Sequence, residues 1–161
     1  MRGGFTNVRA GIAPFRKALA ELRKQAIAAT QRTAGQALEA LFSRTPVWEG
    51  TTVRNYVVGI GGAGPGGEKP PIDNGPPGAT SLMAMGSEPR RDPNEAAARS
   101  EGVATIRRLK KLQSIHITNN ADIFDQVDAG AAPTTGEARN PGGVVLLATQ
   151  IVRAQSGGLW S

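Results

Sequence analysis

The only histidine, His116, lies in the run Ser-Ile-His-Ile-Thr-Asn-Asn, between Ile115 and Ile117. A catalytic imidazole needs a partner that orients its ring, and no Asp or Glu adjoins this one. Alternation with isoleucines instead places it on the wet face of a strand. No serine sits in a nucleophile-elbow context. Asp122, Asp125 and Asp128 recur at every third residue. Carboxylates at that spacing resemble a cation site, but the Gly and closing Glu of a calcium loop are missing, and on a short helix they make its solvated face. Gly59-Ile60-Gly61-Gly62-Ala63-Gly64 matches G-x-G-x-x-G behind a β-rich run. A dinucleotide site needs a helix to open there, and Pro65-Gly66-Gly67-Glu68-Lys69-Pro70-Pro71 cannot start one. The absence of cysteine excludes a thiol nucleophile, a thiolate-bound metal and a disulfide. These residues predict a non-enzymatic protein with no cofactor and no metal.

The charged residues point to a partner instead. The chain has 161 residues and a net charge of +6. Residues 1–44 hold eight basic residues (Arg2, Arg9, Arg16, Lys17, Arg23, Lys24, Arg32 and Arg44) against Glu21 and Glu39, an excess equal to the whole net charge. A basic element on a neutral body favours an anionic partner, either nucleic acid or an acidic protein face. The alternative is a helix with a solvated basic face. A second basic cluster, Arg107, Arg108, Lys110 and Lys111, falls in the last turn of an expected helix, where cations complement the helix dipole. No aromatic residues interleave with it, so a single-strand stacking platform is not supported. The residues expected to meet a partner or a neighbouring subunit are Arg16, Lys17, Arg23, Lys24, Trp48, Arg54, Arg107 and Arg108.

The elements that must position them follow from periodicity. Residues 1–12 have no period and read as a flexible arm. Pro14 suits a first helical turn. Phe15, Leu19, Leu22, Ala26, Ala29, Thr33, Ala37 and Leu41 then recur at three- and four-residue spacing, which predicts one amphipathic helix over 14–43, ended by Thr45-Pro46. Residues 51–60 are rich in β-branched residues and predict a strand. A long mobile loop over 61–79 follows, then a weakly strand-like stretch at 80–85. Asp92-Pro93-Asn94-Glu95 opens a helix that should run to about residue 111. Residues 114–119 form a second strand, stopped by Asn119 and Asn120. Ile123, Phe124 and Val127 share one side of a short helix, with Gly130 as its C-terminal cap. A loop over 129–141 leads to Asn140-Pro141 as N-cap and first residue of a helix to 153, striped by Val144, Leu147, Ala148 and Ile151. The switch between period 3.6 and period 2 predicts a single α+β domain: a long N-terminal helix on a small, mainly antiparallel sheet, with shorter helices. Leu19, Leu22, Leu41, Val58, Ile106, Ile117, Phe124 and Leu147 are the expected core. No apolar run is long enough for a signal peptide or a membrane span.

Two blocks carry a resemblance. Strand, Asn119-Asn120, short helix with Phe124, Gly130, loop and Pro141-Gly142 opening a last helix form one. Thr45-Pro46-Val47 and Gly50 before a strand form the other, with Trp48-Glu49 in place of the usual Asp-Thr. Over residues 10–155 the chain resembles the tail-completion or neck proteins of long-tailed double-stranded DNA bacteriophages, the minor tail protein Z-like family. Most of that family have Tyr where Phe124 stands, and often an acidic residue where Ala129 stands. The resemblance implies a structural virion protein, made in the bacterial host cytoplasm. It would form a homo-oligomeric ring at the head–tail junction, with a hexamer favoured and a dodecamer as the other option. Its implied partners are itself, a head-closure or connector ring, a tail terminator or tail tube protein, and DNA that passes through the channel without sequence-specific binding. A tail terminator or head-closure component is the nearest alternative. A small basic DNA-binding or packaging accessory protein is the alternative from another class.

Overall fold

The computed structural model describes residues 8–45, 51–70, 93–122, 124–129 and 143–155. The order is α1 (Val8–Arg44), α2 (Thr51–Arg54), β1 (Tyr56–Ile60), α3 (Pro93–Arg107), β2 (Ile115–Asn119), α4 (Phe124–Asp128) and α5 (Val144–Gln155). The fold is α+β, with a long N-terminal helix, a two-stranded antiparallel sheet and shorter helices. In the sheet Tyr56 pairs with Asn119, Val58 with Ile117 and Ile60 with Ile115.

The core sits where the C-terminal half of α1 meets everything else. Ala34, Leu38, Leu41 and Phe42 recur at four-, seven- and eight-residue spacing and are buried. Against them lie Ala98 and Ile106 of α3, Val53, Tyr56 and Val58 around β1, and Val144 and Ala148 of α5. Phe42 and Tyr56 meet edge-to-face at 5.3 Å, and Phe124 packs edge-on against the other side of Tyr56 at 5.8 Å. Gly102 lets α3 close on α1 and β1, since a side chain there would strike Leu38 and Val58. Arg99 stands over the Phe42 ring at 5.0 Å and bonds Glu39 and Glu95, closing the outer edge of the α1–α3 contact.

Several sequence expectations are corrected by this packing. Residues 8–12, expected as an arm, already belong to α1, and Pro14 lies inside the helix. Leu19 and Leu22, expected in the core, are exposed because α1 runs past the body that would cover them. Leu41, Val58 and Ile106 are buried as expected, whereas Ile117, Phe124 and Leu147 are only half-buried. The expected strand 51–60 divides: Thr51–Arg54 is one turn of helix, and only Tyr56–Ile60 is extended. Burial of Thr52 and Val53, and the bond from the Asn119 side-chain amide to the Thr52 carbonyl (2.8 Å), override the β propensity of that run.

The helix expected to reach residue 111 ends at Arg107. There the Gln31 amide donates to the Ile106 and Leu109 carbonyls at 3.2 Å, and Arg108 and Leu109 form three-residue turns that swing Leu109 into the core. Lys110 and Lys111 therefore lie beyond the helix, not in its last turn. The last helix begins at Val144, behind Gly143 in a left-handed conformation (φ 66°). Its N-terminal cap is Asp128 of α4, whose Oδ1 accepts from Val145 N at 2.9 Å. The expected cap at Asn140-Pro141, the cap at Gly130, Trp48 and the stretch at 80–85 lie outside the described residues.

Candidate partner interface

The Gly-rich stretch after β1 is a packed part of the body over its described length. Asn55 is fully buried and grips Lys69 twice: its Nδ2 donates to the Lys69 carbonyl (2.9 Å) and its Oδ1 accepts from Lys69 N (2.6 Å). The Asn120 amide donates to the carbonyls of Pro65 (2.9 Å) and Gly67 (3.2 Å). The loop folds back so closely that a Cβ at Gly59 would strike the backbone of Gly62 to Gly64, and one at Gly64 would strike Val57. Those glycines serve chain-on-chain contact. Residues 61–70 are thus tied down, and the rest of the expected mobile loop, 71–79, lies outside the described residues.

Asn119 and Asn120 do stop the second strand, and they do more. Asn119 Oδ1 accepts from Ala121 N at 2.9 Å to start the turn into α4, and Asn120 N donates to the Asn55 carbonyl at 3.0 Å. His116 is exposed and, among the described residues, bonds the Ser114 hydroxyl at 2.9 Å and no carboxylate. Asp122 and Asp125 are exposed, while Asp128 is spent on α5. Among the described residues, no three of His, Cys, Asp and Glu converge.

The expected interface residues fall into separate places. Arg54 turns inward from α2. It bonds Glu101 at 2.9 Å, only 14% of its side chain is exposed, and its Nε and Nη1 are buried with no hydrogen-bond partner among the described residues. Lys69 joins the same carboxylate at 2.6 Å, and these two cations hold the Glu101 carboxyl below its ordinary pKa. Arg54 is therefore a structural residue rather than an open contact. Arg107 and Arg108 are exposed at the end of α3. Arg16, Lys17, Arg23 and Lys24 are exposed on α1, with Glu21 among them.

What sequence reasoning missed is the apolar surface beside those cations. Every described side chain from Ile12 to Gln25 is exposed, including Phe15 at 71% and Leu22 at 61%. With Ile12 and Leu19 they make a continuous stripe at helical spacing on a helix that leaves the body. At about 100° per residue, Arg16 and Arg23 run along one margin of the stripe and Lys17 and Lys24 lie on the far side. The body has its own exposed apolar pair, Val145 and Leu146, in the first turn of α5, beside Asp128. An exposed apolar stripe on a helix is a surface of the kind that marks contact with another protein or with a membrane. Comparison with family models, with curated proteins and with solved structures found no match.

Proposed function

We propose that the protein is a structural assembly subunit: a phage neck or tail-completion protein that forms a ring at the head–tail junction and supports joining of the tail to the DNA-filled head. The observation that carries the reading is the projecting half of α1. Its apolar stripe is not covered by the described residues of its own chain, and leaving such a surface in water is unfavourable unless something covers it. The neck-protein resemblance of the sequence supplies the setting. In this reading the protein acts by contact, with no reaction and no cofactor. Its partners are further copies of itself, adjoining connector or tail rings, and the DNA that passes through. Negative-stain images of the purified protein should show closed rings, and immunogold on virions should mark the neck. Virions that lack the protein yet keep firmly attached tails would refute the assignment.

A second reading rests on the exposed cations Arg16, Lys17, Arg23 and Lys24 of α1. A basic helix projecting from a neutral body can lie along duplex DNA as a packaging accessory. Mobility-shift titration separates the two, because tight binding with a steep salt dependence belongs to the second alone.

A further inference from the structure

We infer that the projecting half of α1 docks on the α4–α5 corner of a second copy of this chain, a head-to-tail contact. The inference rests on the ring reading above and names the surfaces that would make it.

Both surfaces are apolar and open, and their charges are opposite. On the helix, Phe15 and Leu22 carry the stripe and Arg16 and Arg23 edge it. On the corner, Leu146 is 62% exposed and Val145 sits beside it, directly above the carboxylate that caps α5. Asp125 stands one turn before Asp128 on α4, and Asp122 is exposed just before that helix. Residues 112–130 contain no Lys or Arg, so nothing basic within that segment offsets these carboxylates. The projecting segment is continuous with a rigid helix pinned only from its second half onward, so it cannot bend back to cover its own corner. A second copy brings the missing partner to both surfaces at once. The two surfaces differ, so a pair keeps one free helix on one copy and one free corner on the other. Such contacts propagate, and they close into a ring when the rotation allows. The matching acidic corner favours this occupant over a lipid surface.

The chain has no cysteine, so introduced thiols report alone. Phe15→Cys and Leu146→Cys change exposed side chains and should leave the fold intact. Mixed and mildly oxidised, the two variants should give a covalent dimer, while each variant alone should give little. Arg16→Glu with Arg23→Glu on the first variant should suppress the cross-link, and adding Asp122→Arg with Asp125→Arg on the second should restore part of it. Strong self-linking of Phe15→Cys would mean that α1 pairs with α1 and would overturn the inference. So would absence of the mixed dimer when the wild-type chain forms rings, a result that leaves the ring reading standing. A mixed dimer from a wild-type chain that never exceeds two subunits would keep the docking and defeat the ring. Flotation with anionic phosphatidylserine vesicles that depends on Phe15 and Leu22, without cross-linking, would reassign the stripe to membrane and overturn the docking.

Discussion

Tyr56 is the only tyrosine in the chain, so phenolate absorbance reads one side chain. It is 3% exposed, between Phe42 and Phe124. Burial pushes its pKa from 10.0 up to about 12. Thr45 donates its single hydroxyl hydrogen to the Leu41 carbonyl at 2.8 Å, so in the 2.7 Å contact between the hydroxyls Tyr56 must be the donor. Ionisation removes that donor and strands a charge in the core. A folded pKa above the unfolded one means that the fold favours the neutral phenol. This contribution is complete below pH 10 and is lost as pH rises toward 12. A shift of that size corresponds to about 3 kcal/mol of stability lost across the window. Denaturant melts at stepped alkaline pH should show this fall in the wild type and a clearly shallower one in Tyr56→Phe. At neutral pH the same variant should lose only about 1 kcal/mol, because Thr45 keeps its bond to Leu41. A phenolate midpoint near pH 10 while the circular dichroism is still native would refute the burial of Tyr56, and equal slopes in the two proteins would refute its role.

Phe42→Ala should cost about 3–5 kcal/mol, since the ring is fully buried and in contact with Tyr56 and Arg99, whereas the half-buried Phe124→Ala should cost clearly less in the same melts. Asn55→Ala should cost about 2–4 kcal/mol by leaving both backbone groups of Lys69 without their partner, and limited proteolysis should then cut within residues 61–70 first. Acid should weaken the same corner. Glu101 is held below its ordinary pKa by Arg54 and Lys69, so its contribution is present above the unfolded value of 4.5 and is lost as pH falls through the lower folded one. Glu101→Gln should flatten the acid limb below pH 4.5 in a pH series of thermal melts, and an unchanged limb would remove the pair from the account.

Local pattern was enough for the described elements and their order apart from α2, which was expected as the start of a strand. The alternation of Ile115 and Ile117 with His116 places a strand, and the caps around Pro93 place a helix start, because both signals act over a few residues. The ends were decided by distant parts of the chain. Gln31 stops α3 from more than seventy residues away, Asp128 starts α5, and Asn119 holds Thr52 in a helical turn. No local signal carries such bonds. The exposure of Leu19 and Leu22 was not legible, because the helix expected over 14–43 is shorter than the one that forms. A helix of 37 residues is about 55 Å long, and a compact domain of this size is only about 40 Å across, so part of the stripe had to project. Periodicity says which side of a helix is apolar and nothing about what covers it. The same limit applied to the candidate site. Basic residues were countable, but only packing separates Arg54, which is spent on Glu101, from Arg16 and Arg23, which are open.

The central claim is that the open stripe of α1 makes this chain an assembly subunit, and the native mass tests it most directly. Sedimentation velocity over a range of concentration and salt should give a discrete species six times 16.7 kDa, or twelve times, that weakens as salt rises and dissociates when Phe15 and Leu22 are both changed to Asp. A single species of 16.7 kDa at every concentration and at low salt would contradict it.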